Sequence, residues 1–154
     1  DSLTRFLRAY AQVARLPQPK KTTFDIAELV ARVAALETRT DVQVSGPSVV
    51  ISADADQIEQ LMINLIRNAA DASPVVAVQW HARRAEIEIR VLDEGTGVSS
   101  TANLFVPFFT TKPGGTGIGL LLSRQIAEAH GGNVTLENRK DGRGAVARVR
   151  LPRG

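Results

Sequence analysis

No cysteine occurs in the 154 residues, and aromatic side chains make up only 5% of them. Without thiols there is no disulfide framework, no thiolate zinc site and no cysteine nucleophile. So few rings argue against a stacking platform for nucleic acid. Charge of one sign is missing as well. The 19 Lys+Arg face 16 Asp+Glu, for a net charge of +3. The doublets Lys20-Lys21, Arg83-Arg84 and Arg139-Lys140 are scattered and form no stripe, so each reads as solvated surface in a basic turn. No apolar run approaches the ~20 residues that cross a bilayer, and the opening residues do not have the pattern of a signal peptide. The start at Asp1 rather than Met reads as a piece cut from a longer chain. What is present is ordinary: 44% hydrophobic and 23% charged residues, at a length that suits one domain with a short appendage.

Leu3, Phe6, Leu7, Tyr10 and Val13 recur at helical spacing, so residues 1–16 are expected to be helical until Leu16-Pro17-Gln18-Pro19 stops them. Lys20 to Thr23 reads as a polar connector, which divides the chain into 1–23, a helix end plus linker, and a domain over 24–154. Asp25 and Glu28 form a capping pair for a helix to about Glu37, with Ile26, Leu29, Val30, Val33 and Leu36 as its apolar face. Short strands are expected at Val42–Val44 and Val49–Ser52, around Gly46-Pro47. Asp54 can cap the next helix, which carries Ile58, Leu61, Met62, Leu65, Ile66 and Ala69 on one side and ends at Ser73-Pro74.

A hairpin over Val75–Ala82 and Glu86–Leu92 follows, since Ile87, Ile89 and Val91 alternate with Glu88 and Arg90. A helix from about Gly117 to His130 stops at Gly131-Gly132, and a last hairpin runs through Val134–Asn138 and Ala145–Leu151. Helices and strands mixed without strict alternation predict an α+β fold, a two-layer sandwich of about three helices on a mixed, largely antiparallel sheet.

Three segments carry candidate chemistry. On the helix of residues 55–72, Asn64 and Asn68 lie about 40° apart on one flank, with Asp71 close by. A carboxamide oxygen is a hard, neutral ligand able to hold Mg²⁺ already bound to phosphates. Taken alone, the pair reads first as two surface amides. Asp93-Glu94-Gly95-Thr96-Gly97 directly follows a strong strand; its glycines let the backbone approach a ligand, and Asp93 can accept a hydrogen bond from an exocyclic amine such as that of adenine. Alone it is also an ordinary acidic turn. Gly114, Gly115, Gly117 and Gly119 feed a helix N-terminus, where free N–H groups and the positive dipole end cradle phosphate, and Lys112 is placed to add a point charge. The loop is neither a Walker A motif nor a dinucleotide fingerprint, because the Gly-Lys-Ser/Thr ending and the parallel β-α-β unit are missing. Between the second and third segments, three of the five Phe fall within 105–109.

In this order the segments resemble the catalytic, ATP-binding domain of sensor histidine kinases, within the histidine kinase, Hsp90, gyrase and MutL ATPase superfamily. Gln60 to Ala72 matches the N box and Asp93 to Gly97 the first glycine box. Phe105 to Lys112 matches the F box and Gly115 to Leu120 the second glycine box. The resemblance covers about residues 25–152 and implies the histidine kinase-type ATP-binding fold. It implies that Asn68 holds Mg²⁺, that Asn64 lines the phosphate site where ATPase relatives carry a water-activating Glu, and that Asp93 binds the adenine amine. Gly95 and Gly97 would shape the adenine pocket. Gly117 and Gly119 would lie at the phosphates with Lys112, Gly115 and Thr116, and Phe109 and Leu120 fall in the same nucleotide site. Asn64 and Lys112 are the catalytic candidates.

Asp71 stands where many members place a phosphate-facing Lys, with Arg67 as a conceivable substitute, and Glu94 replaces the usual Asn. The few residues between Phe109 and Gly115 resemble the nitrogen-regulation type of sensor kinase. Neither His81 nor His130 has the phosphoacceptor context, so both are expected to be structural and residues 1–16 to be the end of a dimerisation helix. The implied activity is transfer of the ATP γ-phosphoryl group, with Mg²⁺ and ATP bound, to a histidine outside this chain. The implied partners are the chain's own dimerisation domain and a response regulator, with no nucleic acid. The setting would be a cytoplasmic domain, monomeric alone, of a homodimeric parent that is open to an inner-membrane anchor. An ATP-hydrolysing relative and a non-catalytic nucleotide-sensing or docking module remain the alternatives.

Overall fold

A computed structural model describes residues 2–3, 16–95 and 118–154 of the chain. Residues 2 and 3 are helical and Leu16 is not; residues 1 and 4–15 of the expected first helix lie outside the described residues. The elements run β1 (Thr22–Asp25), α1 (Ile26–Leu36), β2 (Asp41–Ser45), β3 (Val50–Ala53), α2 (Ala55–Ala72), β4 (Val75–Ala82), β5 (Glu86–Asp93), α3 (Ile118–Ala129), β6 (Asn133–Asn138) and β7 (Ala145–Pro152). Three helices cover one face of a five-stranded sheet ordered β2-β4-β5-β7-β6, the two-layer α+β sandwich expected from the sequence.

The sheet is mixed because β2 pairs in parallel with β4, Val42 opposite Val76, while every other ladder is antiparallel. β2 and β3, neighbours in sequence, part company: β3 pairs with β1 in a separate two-stranded sheet. That pairing corrects the expected connector, since Thr22 and Thr23 are strand residues opposite Ala53 and Ser52. The strand escaped notice because Thr22 and Thr23 are exposed and show no alternation.

The core forms where the two periodicities meet. Strand residues Val76, Val78, Ile87, Ile89, Val91, Val149 and Leu151 point inward at intervals of two, and Ile58, Leu61, Met62, Leu65 and Ile66 of α2 meet them at helical spacing. Burying each of these aliphatic side chains stabilises the fold by ~1.5–3 kcal/mol. Leu36 departs from the expected apolar face of α1. It is 62% exposed and lines a shallow groove of about 270 Å³ with Val33, Glu37, Ile63, Ile66 and Arg67. Trp80, the one tryptophan, is buried, and its Nε1 donates to Pro47 O at 2.7 Å.

Both long N-terminal helices are capped by carboxylates that do more than cap. Asp25 Oδ1 accepts from Ala27 N at 2.8 Å and Val49 N at 3.2 Å, while Ser48 Oγ donates to its Oδ2. Asp54 accepts from Gln57 N at 3.1 Å and from Lys20 N at 2.9 Å, tying the proline-rich segment to α2. The Ser48 hydroxyl and the Ala27 amide hold Asp25 below its ordinary pKa of 3.8. Burial works to raise Asp54, but the amides of Lys20, Gln57 and Asp56 outweigh it and lower that carboxyl too. A carboxyl with a depressed folded pKa contributes stability above its unfolded value, and that contribution is lost as pH falls through the folded value. The melting temperature is therefore expected to hold level above about pH 5 and to fall below about pH 4. An Asp54→Asn variant should show a shallower acid decline in the same thermal titration.

His130 is wedged behind the same cap. Its Nε2 accepts from Asp54 N at 3.0 Å and its Nδ1 lies 2.8 Å from Ile126 O, joining the end of α3 to the start of α2. His81 lies on β4 with Nε2 3.3 Å from Glu88.

Candidate functional site

The site is organised along one flank of α2. At 100° per residue, Asn64, Asn68 and Asp71 fall within about 60° of one another, beside the apolar stripe. Asn64 and Asn68 are both half-buried. The N-terminal turn of α3 meets this flank: Asn64 Nδ2 donates to Gly119 O at 3.4 Å, and Gln60 Nε2 donates to Asn64 Oδ1 at 3.0 Å. Ser123 Oγ also donates to Gly119 O, at 2.9 Å. Because α3 begins at Ile118, its first amides have no partner within the helix, and the positive end of its dipole lies level with Asn64. Such a terminus favours phosphate. Leu120 follows, partly buried against the core.

At the other end of α2, Asp93 closes β5 and is buried. Its Oδ1 accepts from Gly95 N at 2.9 Å and from Ala145 N at 3.1 Å, and no hydrogen bond from a described residue reaches Oδ2. A Cβ on Gly95 would stand 2.6 Å from Ala72 O, so only glycine lets this turn lie against the last turn of α2. Ser73, where α2 ends, clasps the junction. Its Oγ donates to Val75 O at 2.7 Å and accepts from Glu94 N at 3.1 Å.

The β6–β7 turn supports the same loop from the opposite side. Arg139 Nη1 donates to Asp93 O at 3.1 Å, and Arg143 Nε donates to Gly95 O at 3.0 Å. Arg139 is thereby corrected from solvated surface to a support of the loop; its side chain is only 18% exposed. Ser73, Arg139 and Arg143 are the residues that sequence reasoning missed. The Ser73-Pro74 stop and the Arg139-Lys140 doublet were visible signals, but their target was not.

The two ends are thus joined through one helix. Asn64, at Gly119, and Ala72, at Gly95, are eight residues apart in α2, about 12 Å along its axis, with Asn68 midway. Asp71 engages Arg39, whose Nη1 lies 2.5 Å from Asp71 Oδ1. Arg67 lines the groove on the α1 side of α2, not the flank that faces α3. Gly97, Phe109, Lys112, Gly115, Thr116 and Gly117 lie outside the described residues.

A match to the histidine kinase-, DNA gyrase B- and HSP90-like ATPase family spans residues 53–154. The chain belongs to this family. Within it the resemblance is to sensor histidine kinases. The sensor protein FixL of Bradyrhizobium diazoefficiens is 42% identical over 110 residues, covering 66% of this chain and 22% of FixL. The nitrogen regulation protein NtrY of Azorhizobium caulinodans is 30% identical over 169 residues, covering 96% of this chain and 21% of NtrY. The chain therefore spans about a fifth of the length of these relatives. Among solved structures, a nucleotide-free form of the catalytic domain of histidine kinase ThkA superimposes with a TM-score of 0.78 at 28% identity, covering 87% of this chain and 96% of that one. The fold and the nitrogen-regulation character read from the sequence agree with these relatives. The domain is thus the ATP-binding catalytic domain of the sensor histidine kinase type. Among the described residues no helix is long and apolar enough to cross a membrane.

Proposed function

We propose that this chain binds Mg-ATP along the α2 flank and passes the γ-phosphoryl group to a histidine on a dimerisation domain that the chain does not contain. The observation that carries this reading is the span of α2, which has a helix N-terminus at Asn64 and a buried carboxylate turn at Ala72. A helix N-terminus that favours anions and a buried carboxylate thus meet the same helix at two points. Asp93, through Oδ2, accepts from the adenine amine, with Gly95 and Gly97 forming the wall of the pocket. Gly119 and the first amides of α3 take the phosphates, with Lys112, Gly115, Thr116 and Gly117 completing the cradle and Phe109 and Leu120 bordering it.

The donor set suits a metal that arrives on phosphate. Among the described residues no three His, Cys, Asp or Glu side chains cluster to hold one, and the half-buried Asn68 amide offers a neutral hard oxygen. Magnesium, when bound there, neutralises phosphate charge. Asn64, pinned between Gln60 and Gly119 O, orients the terminal phosphate, and Lys112 offsets its charge. In the transfer itself, the bond from phosphorus to the bridging oxygen breaks, ADP leaves, and a bond from phosphorus to an imidazole nitrogen forms. The protein's part is positioning and charge neutralisation, which dominate phosphoryl transfer. An imidazole is its own nucleophile, so an amide at position 64 suffices where water activation would call for a carboxylate. A response regulator then receives the group from the histidine, and the parent protein acts as a homodimer in the cytoplasm.

The test is to mix the chain with its dimerisation domain and γ-labelled ATP. Acid-labile label on that domain's histidine is expected, and Asn68→Ala should lower its rate about 100-fold or more. Steady release of inorganic phosphate with no labelled histidine, lost in Asn68→Ala, would replace this reading with ATP hydrolysis. An absence of heat on Mg-ATP titration would replace it with docking.

A further inference from the structure

We infer that Gln57 is a positioning residue for phosphoryl transfer: it clamps the Pro17–Lys20 backbone to α2 and so fixes how the preceding chain enters the domain. The inference rests on the functional reading above, in which the phosphoacceptor domain is joined through residues 1–16. Gln57 stands in the first turn of α2, four residues before Leu61, and is only 8% exposed. That spacing puts it on the stripe that builds the core. A leucine would fill the place without burying an amide. Gln57 instead leaves Oε1 buried with no hydrogen-bond partner among the described residues, at a cost of about 1–3 kcal/mol. What the amide supplies is one bond across the chain: Nε2 donates to Pro17 O at 2.9 Å.

Pro17 and Pro19 carry no N–H, so a strand ladder cannot hold this stretch. The start of α2 holds it instead. Beside the Gln57 bond, Lys20 N donates to Asp54 Oδ2 at 2.9 Å, and Gln57 N donates to Asp54 Oδ1 at 3.1 Å. Asp54 is itself fixed, because its own amide donates to the buried His130 at 3.0 Å. Thr22 then enters β1 opposite Ala53, directly before that cap. The chain is thus pinned at Pro17, Lys20 and Thr22, and a proline-rich segment is stiff between its anchors. Asn64 follows Gln57 by seven residues, almost two whole turns, so the two lie within about 20° and about 10 Å along the axis. One helix therefore carries both the entry of the tether and the end assigned to the phosphates. A nucleophile delivered on a fixed tether samples few orientations at high effective concentration, and both speed transfer.

The test compares the parent protein, in which residues 1–16 join the two domains, with this chain mixed with the separate dimerisation domain. Gln57→Leu keeps the position buried and removes the donor. Pro17 is exposed, so its carbonyl turns to water and the melting temperature should not fall. With γ-labelled ATP at saturation, histidine labelling by the joined protein is expected to slow about 3–10-fold. In the mixture no tether orients the encounter, and the rate should stay within about 2-fold of the unsubstituted chain. The Kd for Mg-ATP should also stay within about 2-fold, because Gln57 lies apart from the assigned nucleotide contacts. A merely structural residue would slow both arrangements alike. Equal slowing in both, a weaker Kd, or an unchanged or faster rate in the joined protein would overturn the inference. Failure of the unsubstituted protein to label histidine in either arrangement would instead overturn the functional reading, and this inference with it.

Discussion

Asp93→Asn should leave the fold intact and cost about 100-fold in ATP affinity, with the loss specific to adenine. The two roles of this carboxylate are separable by atom. Oδ1 holds the amides of Gly95 and Ala145, and an asparagine oxygen can accept the same two bonds. Oδ2 is the atom assigned to the adenine amine; in the variant an NH₂ group stands there, donor against donor. A guanine carbonyl would meet that NH₂ favourably, so discrimination between ATP and GTP should narrow or reverse. Asp93→Ala separates the other role. It leaves two buried backbone donors unpaired, at ~1–3 kcal/mol each, a large share of the ~5–15 kcal/mol that holds a domain together. Titration with ATP, GTP and inorganic triphosphate, beside thermal melts, checks both. Equal weakening of ATP, GTP and triphosphate by Asp93→Asn would remove the adenine assignment.

The signal that singles out Asp93 as a candidate in the sequence is local. It closes a strand whose Ile87, Ile89 and Val91 alternate cleanly, and glycine follows two residues later. The helices were equally legible, because Ile58, Leu61, Met62, Leu65, Ile66 and Ala69 mark one face of α2 and all six are buried. What escaped was everything decided across the chain. Arg139 reaches Asp93 O over a separation of 46 residues, Ser73 meets Glu94 over 21, and Arg39 meets Asp71 over 32. Pairing of β2 with β4 in parallel, and of β1 with β3 outside the main sheet, likewise depends on which edge is free. No local pattern encodes that choice. Leu36 shows the reverse error: helical spacing placed it on the apolar face of α1, yet that face ends one turn earlier, at Val33. Of the site, the described ends of the glycine motifs lie against α2, Gly119 at Asn64 and Gly95 at Ala72.

Gly144→Ala should be among the most damaging single-methyl changes in the described part of the domain. Gly144 has φ +115°, which an L side chain rarely adopts, and a Cβ there would stand 2.0 Å from Asp93 O and 2.9 Å from Glu94 Cα. Those are backbone atoms of a strand end, so they cannot swing aside as a flexible side chain would. Strain and overpacking together are expected to cost about 2–5 kcal/mol. The change also strikes the site, because the residue after Gly144 supplies an amide to Asp93 Oδ1 and the Gly144 carbonyl accepts from Arg139 N at 3.0 Å. Moving this turn therefore loosens the Asp93 loop before the sheet itself fails. Denaturation followed through Trp80, the only tryptophan, should show a lower midpoint, and residual folded protein should bind ATP more weakly. Gly142, in the same turn, is the control: a Cβ there meets nothing within 4 Å, so Gly142→Ala should stay within about 0.5 kcal/mol of the original. If Gly144→Ala unfolds at the same midpoint as Gly142→Ala, the β6–β7 turn does not brace Asp93, and the rigidity ascribed to the adenine end of the site has another source.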